Sequence, residues 1–331
     1  MRIAFIWDWL QDPVQLMTWE DGLFAALREL RKRGHEVEVF TFCNEIEGIM
    51  LRDVLAVRCM QADSELRQEM EAYKPDVLLH WADCTRPNAN IGRVLGIPQA
   101  ICFAGGTPFG PTWNNFDLFF VESDEYKEAL EKANVRVITA FGTNTRLWDP
   151  NEPRLMEQKR TFDVCFPATF AAWKRHDVFA RAVKGYKSVC AGYMYPDHEQ
   201  WCWQVAQKSG TLALPHTPAA NLRHVMAASG VCLVTSQNNG GSQRTVLEAM
   251  AMNVPVIVME DSHKTSEYVR KAETLGYAVG KVVPPQEHLI RQAIDECLQM
   301  KANGREYVKQ AWSEVTYADA LEQGLNEICR K

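Results

Sequence analysis

Residues 231–258 read VCLVTSQNNGGSQRTVLEAMAMNVPVIV. The run from Val231 to Thr235 is apolar and rich in β-branched residues, and the polar stretch after it carries the pair Gly240-Gly241. Apolar residues then recur at helical spacing from near Ser242, and Val254 to Met259 is a second apolar run. Strand, glycine loop, helix, strand is the βαβ unit of a parallel sheet. The first turn of such a helix offers unpaired N–H groups and the positive end of a dipole, and glycines let a phosphate approach the backbone. Asn239, Gly240, Gly241, Ser242, Gln243 and Arg244 are therefore candidate anion-binding residues. The G-x-x-x-x-G-K-[ST] string of a P-loop is absent.

The same grammar extends in both directions. Arg2 to Trp7 is a buried-type strand, a helical period at Leu23, Leu27 and Leu30 stops at Gly34, and Val37 to Phe42 is the next strand. Further strands are predicted at Val77–His80, Pro98–Phe103, Leu118–Glu122 and Arg136–Ile138, and, later, at Phe162–Pro167, Lys187–Ala191 and Leu212–Leu214. Helices are predicted over Asp177–Lys184 and Asn221–Ala228, and the stretch from Trp148 to Arg160, with two prolines, reads as a linker. The expected architecture is α/β, with two Rossmann-like doubly wound domains facing a cleft, over residues 1–153 and 154–306. A helical tail, 307–331, is expected to pack back on the first. A length of 331 residues agrees with two domains.

The ten cysteines are scattered with no C-x-x-C pair, and no His cluster has zinc spacing, so they read as reduced and no metal site is expected. A net charge of -6 argues against a surface given over to nucleic acid. No apolar run is long enough to cross a bilayer and the start is not a signal peptide, so a cytoplasmic protein is expected. The oligomeric state is not legible.

The string LEAMAMNVPVIV at 247–258 resembles the E-A-M-A-x-x-x-P-V-I motif of retaining GT-B glycosyltransferases of family four. GHEVEVFT at 34–41, KPDVLLHW at 74–81 and FGTNTRLWDP at 141–150 are similar to landmarks of the first domain of that family. The resemblance implies the GT-B fold and a metal-independent glycosyltransferase, a hexosyl- or pentosyltransferase. It would move a sugar from a nucleotide-sugar donor, UDP-linked, to a carbohydrate or other hydroxyl-bearing acceptor with no further cofactor. It also implies that Glu248 binds the ribose hydroxyls, that Lys174 or Arg175 in DVCFPATFAAWKRHDVFARAV (163–183) meets the diphosphate, and that His216 lies where the nucleobase rests. Departures are Gly240 where the family has the first Glu of E-x7-E, with Asn238 or Asn239 as replacements, Met17 and Thr18 for a glycine pair although Glu20 is kept, Ala104 for His and Thr169 for Arg.

CFAGGTPFGPTW (102–113), together with the 163–183 and glycine-loop segments, also resembles phage glucosyltransferases that modify hydroxymethylated DNA bases. A modified-DNA acceptor is thus one alternative. A GT-B-like epimerase and a non-catalytic glycan- or nucleotide-binding protein are two others.

Acid–base candidates sit at predicted strand ends of the first domain, where doubly wound sheets bind ligands. His80 and Asp83 in LLHWADC are the catalytic pair of choice, and Asp8, Asp12 and Glu20 are acceptor-side candidates. Trp9, Trp81 and Trp113 offer aromatic faces for a sugar or base.

Overall fold

The computed structural model describes residues 1–7, 22–42, 48–52, 54–82, 87–103, 108–193, 199–215, 217–238, 241 and 243–330. The chain divides into two compact units, residues 1–141 with 314–331, and residues 142–313.

In the first unit the strands are β1 (Arg2–Trp7), β2 (Glu36–Phe42), β3 (Gly48–Arg52), β4 (Leu55–Met60), β5 (Val77–Ala82), β6 (Gln99–Phe103), β7 (Leu118–Val121) and β8 (Val137–Thr139). The helices are α1 (Gly22–Lys32), α2 (Asp63–Tyr73), α3 (Ile91–Leu95) and α4 (Asp124–Lys132). The sheet order is β3-β4-β2-β1-β5-β6-β7-β8, parallel except for the antiparallel β3–β4 pair. Alternate residues of the central strands feed two packing layers. Phe5, Leu79 and Phe120 join Leu27 and Leu30 of α1 on one face, while Ile6, Leu78 and Phe40 join Leu66 and Met70 of α2 on the other. The β3–β4 hairpin has no counterpart in the sequence-based expectation, because Arg52 and Asp53 interrupt the apolar run that would announce it.

The second unit contains α5 (Pro153–Met156), β9 (Phe162–Pro167), α6 (His176–Ala182), β10 (Ser188–Gly192), α7 (Glu199–Lys208), β11 (Leu212–Pro215), α8 (Ala219–Ala227) and β12 (Ser229–Val234). It continues with α9 (Gln243–Ala251), β13 (Val256–Met259), α10 (His263–Thr274), β14 (Gly280–Val283), α11 (Glu287–Leu298) and α12 (Gly304–Ala311). All its strands are parallel, in the order β11-β10-β9-β12-β13-β14. The order reverses between β9 and β12. In the first unit it reverses between β1 and β5.

The helical tail is two helices with different allegiances. Helix α12 stays with the second unit, and α13 (Glu314–Cys329) belongs to the first. Tyr317, Leu321 and Leu325 of α13 enter the α1 layer, and Arg33 binds Asp319 and Glu322 at 2.7 and 2.8 Å while His35 meets Glu322 at 2.8 Å. Helix α13 lies close on the sheet because residue 324 is glycine: a Cβ there would come within 2.7 Å of Leu118 and Phe120 side-chain atoms.

The stretch read as a linker is part of the second unit. Trp148 is fully buried and its carbonyl accepts from Arg305 Nη1 at 2.7 Å, Arg305 pairs with Asp149 at 2.9 Å, and α5 follows. The division consequently falls between 141 and 142, ahead of the expected boundary after 153. Prolines and polar residues looked like punctuation, but a buried tryptophan and a buried arginine hold the segment in place. No helix among the described residues is long and apolar enough to cross a membrane.

Candidate functional site

Doubly wound sheets bind ligands outside the carboxyl ends of their strands, at the point where strand order reverses. In the second unit that point lies between β9 and β12, and the loops leaving those strands carry the residues 168–175 and 235–242.

The two loops are sewn together by their own backbones. Thr235 Oγ1 donates to the carbonyls of Lys174 (2.8 Å) and Arg175 (3.1 Å), and the Gln237 N–H donates to the Trp173 carbonyl (2.9 Å). Arg175 donates back through Nε to the Thr235 carbonyl (2.5 Å) and through Nη2 to the Ser236 carbonyl (3.1 Å). Its guanidinium also binds both oxygens of Asp261, at 2.6 and 2.9 Å, so the Asp261 carboxyl is held below its ordinary range, first by the Arg175 hydrogen bond. Arg175 is thus the rivet of the loop pair, and its backbone takes the left-handed conformation, φ 53°, between the 3-10 turn Ala172–Lys174 and α6.

Lys174 goes the other way. Its side chain is buried, 8% exposed, and its Nζ lies 3.6 Å from where a Cβ on Gly241 would stand. Gly241 has φ +67°, a conformation natural to glycine, and stands two residues before the first residue of α9. An ammonium and a helix N-terminus therefore converge at the sheet's reversal point. Both stabilise an anion. The sequence left Lys174 and Arg175 as equal candidates; the geometry gives the first to the glycine loop and the second to the scaffold.

Helix α9 is enclosed along its length, with Gln243 and Glu248 both buried, and Thr245 Oγ1 donates to the Pro167 carbonyl at 3.0 Å, fixing the helix to the end of β9. Glu248 is 6% exposed and pairs with the half-exposed Arg244 at 3.5 Å. Asn238 Oδ1 accepts from the Lys264 N–H at 3.2 Å, joining the glycine loop to the first turn of α10. Behind Lys174, His176 is fully buried and stacked on Phe170 at 5.1 Å and 15°. Burial, reinforced by the Lys174 charge, lowers its pKa to about 4, so the imidazole is neutral at neutral pH.

In the first unit the reversal point is marked by Trp7 and Trp81, stacked at 4.3 Å and 15° at the ends of β1 and β5. Trp113 is half-buried, packed against the Ile101–Phe116–Phe119 cluster, with Phe109 edge-on at 5.5 Å. His80 does not reach outward. It is 2% exposed, meets Phe116 edge-on at 5.3 Å, and burial, partly offset by the Gln99 side chain, lowers its pKa to about 4. That burial is the environment of a core histidine. Asp8, Trp9, Asp12, Glu20, Asp83, His216, Asn239, Gly240 and Ser242 lie outside the described residues. Sequence reasoning did not single out Thr235 and Asp261, which tie the two loops together. Their place at the carboxyl ends of β12 and β13 was the available signal.

Residues 161–300 match the family model of the glycosyl transferases group 1. Over that stretch, which lies within the second unit, the chain is similar to the group 1 glycosyl transferases. The match spans the β9–α6 loop, the glycine loop, α9 and α10. No curated protein matches the chain by sequence. Among solved structures, sucrose-phosphate synthase from Thermosynechococcus elongatus superposes with a TM-score of 0.74 at 14% identity, over 99% of this chain and 98% of that one. An Anabaena protein solved with UDP and glucose gives a TM-score of 0.72 at 14% identity, over 98% and 99%. An α,α-trehalose 6-phosphate synthase from Burkholderia multivorans gives 0.70 at 11%, over 99% of each chain. The chain has the GT-B fold.

Proposed function

We propose that this chain transfers a sugar from a UDP-sugar to a hydroxyl-bearing acceptor, with the diphosphate held between Lys174 and the N-terminus of α9. The convergence of the Lys174 ammonium on Gly241 carries the reading. In the transfer, the bond between the anomeric carbon and the diphosphate oxygen breaks, the acceptor oxygen forms the new bond to that carbon, and the acceptor proton leaves. Negative charge builds on the departing diphosphate, and fixed positive charge there lowers the barrier. Lys174 and the N–H groups of α9 are placed for that task. Arg175 keeps the cradle rigid through Asp261 and the strand-end carbonyls, so the cradle is formed before the donor arrives.

Glu248 is the candidate for the ribose hydroxyls, since a buried carboxylate accepts strongly from paired O–H donors. Of the neighbours, the Anabaena protein solved with UDP and glucose supports UDP as the nucleotide.

Calorimetry with UDP tests the reading. Wild type is expected to bind UDP, and K174M and E248Q each to weaken it by about tenfold or more, as loss of a charge-assisted contact costs. Absence of UDP binding to the wild type, or unchanged affinity in both variants, overturns it.

A further inference from the structure

Arg244 is the second residue of α9, and its Nε stands 3.5 Å from Glu248 Oε1, one turn further along the helix. The two side chains are unequally enclosed: that of Arg244 is 41% exposed and that of Glu248 only 7%. Helix stability does not account for the pair. A cation in the first turn faces the positive end of the dipole, and for residues four apart the better order is acid before base. Base before acid, through a half-exposed arginine, adds little.

What the contact does is hold the carboxylate. The last torsion of a glutamate side chain is broad, so an unheld carboxylate samples many orientations. A guanidinium on one oxygen narrows that range and leaves the other lone pairs of the group for further donors. The backbone beneath the pair is fixed as well, because Thr245 Oγ1 donates to the Pro167 carbonyl at 3.0 Å and ties this turn of α9 to the end of β9. Two hydroxyls on adjacent carbons reach one carboxylate together only when it is turned toward both, so an orientation set before binding favours a ligand that carries the pair.

We propose that Arg244 is a positioning residue that acts through Glu248, turning the carboxylate so that the donor site prefers a nucleotide with both ribose hydroxyls to a 2′-deoxynucleotide. The inference rests on the reading of Glu248 as the ribose contact. It assigns Arg244 to the ribose end of the site, whereas the glycine-loop pattern of the sequence groups it with the anion-binding residues.

The test measures UDP and 2′-deoxy-UDP binding to the full chain by calorimetry, in wild type, R244Q and R244K. Wild type is expected to bind UDP about tenfold more tightly than 2′-deoxy-UDP, the scale of one charge-assisted hydrogen bond. In R244Q that ratio is expected to fall to about two as the carboxylate loses its fixed orientation, and in R244K, which keeps a cation on the same turn, to lie between. Arg244 is half-exposed, so R244Q opens no cavity, and a ratio of two ligands on one variant is unmoved by a general loss of stability. A wild-type ratio in R244Q overturns the proposal. So does a higher ratio, which makes Arg244 a competitor for the carboxylate, or an equal loss for both ligands, which makes it a phosphate contact. Failure of the underlying reading shows in the wild type alone: absent UDP binding, or equal affinity for the two ligands, removes Glu248 as the ribose contact and the proposal with it.

Discussion

Arg175 and Asp261, 86 residues apart, close a two-point ion pair, Nη1–Oδ2 at 2.6 Å and Nη2–Oδ1 at 2.9 Å, while the same guanidinium binds the two carbonyls just past the end of β12. R175A removes the pair and leaves the Thr235 and Ser236 carbonyls without that donor, for an expected loss of about 2 kcal/mol. In a thermal melt the second unit should lose several degrees. R175K should recover little, because an ammonium cannot reproduce the fork. Because its folded pKa is lowered, Asp261 contributes stability above the ordinary carboxylate pKa, and that contribution is lost as pH falls through the folded value. In R175A this acid-limb loss should shrink. A melt equal to wild type across pH would reject the rivet role.

His176 gives the second unit a different pH dependence. Its folded pKa, about 4, lies below the ordinary histidine value of about 6.5, so the unfolded chain takes up a proton that the folded one refuses. Stability should therefore fall as pH drops from about 6.5 toward 4, by up to about 1.4 kcal/mol per pH unit for this group. H176F keeps an aromatic ring on Phe170 and removes the proton site. Its denaturation midpoint should change less over that range than wild type, and an identical slope would count against the assignment. His80, with the same shift, contributes a parallel slope in the first unit.

Gly324 is where α13 meets the sheet. G324V would drive atoms into Leu118 and Phe120, whose side chains already lie within 2.7 Å of a Cβ position. Overpacking of this kind costs about 1–3 kcal/mol. Urea unfolding followed by a probe in the first unit should show the loss. A midpoint equal to wild type would mean that α13 does not pack as described.

Arg305 holds the 145–149 segment through the carbonyls of Thr145 and Trp148, the Ala251 carbonyl and Asp149. R305M should destabilise the second unit by about 3 kcal/mol, the scale for breaking a buried ion pair by removing one partner. Limited proteolysis should then cut near 142–160 faster than in wild type. Unchanged cleavage would show that the segment is held by other contacts.

The two doubly wound sheets were legible because each central strand is a short apolar run followed by a helical period. The strand and helix on either side of Gly241 were legible because strand, loop and helix are contiguous in 231–258. Choosing between Lys174 and Arg175 was not possible from adjacent letters. Asp261, far along the chain, is the partner that the structure gives Arg175. Lys264 was invisible for a related reason: a lysine reads as surface until tertiary packing encloses it. The burial of His80 beside Phe116 and Gln99 was equally invisible, since a strand-end polar residue looks exposed in the sequence. The β3–β4 pair was missed because a short antiparallel edge hairpin whose sequence is interrupted by Arg52 and Asp53 shows little period.

The first unit takes its last helix from residues 314–329, whereas the second is a continuous run of chain. Synthesis from the N-terminus consequently delivers the second unit whole while the first is still missing a helix that covers one face of its sheet. The second unit can mature on the ribosome, and the apolar layer of Leu27, Leu30, Leu118 and Phe120 waits for residues 314–329 to emerge. A nascent chain stalled short of residue 314 would display that layer to chaperones, so the order of chain emergence makes the N-terminal half the last to be finished.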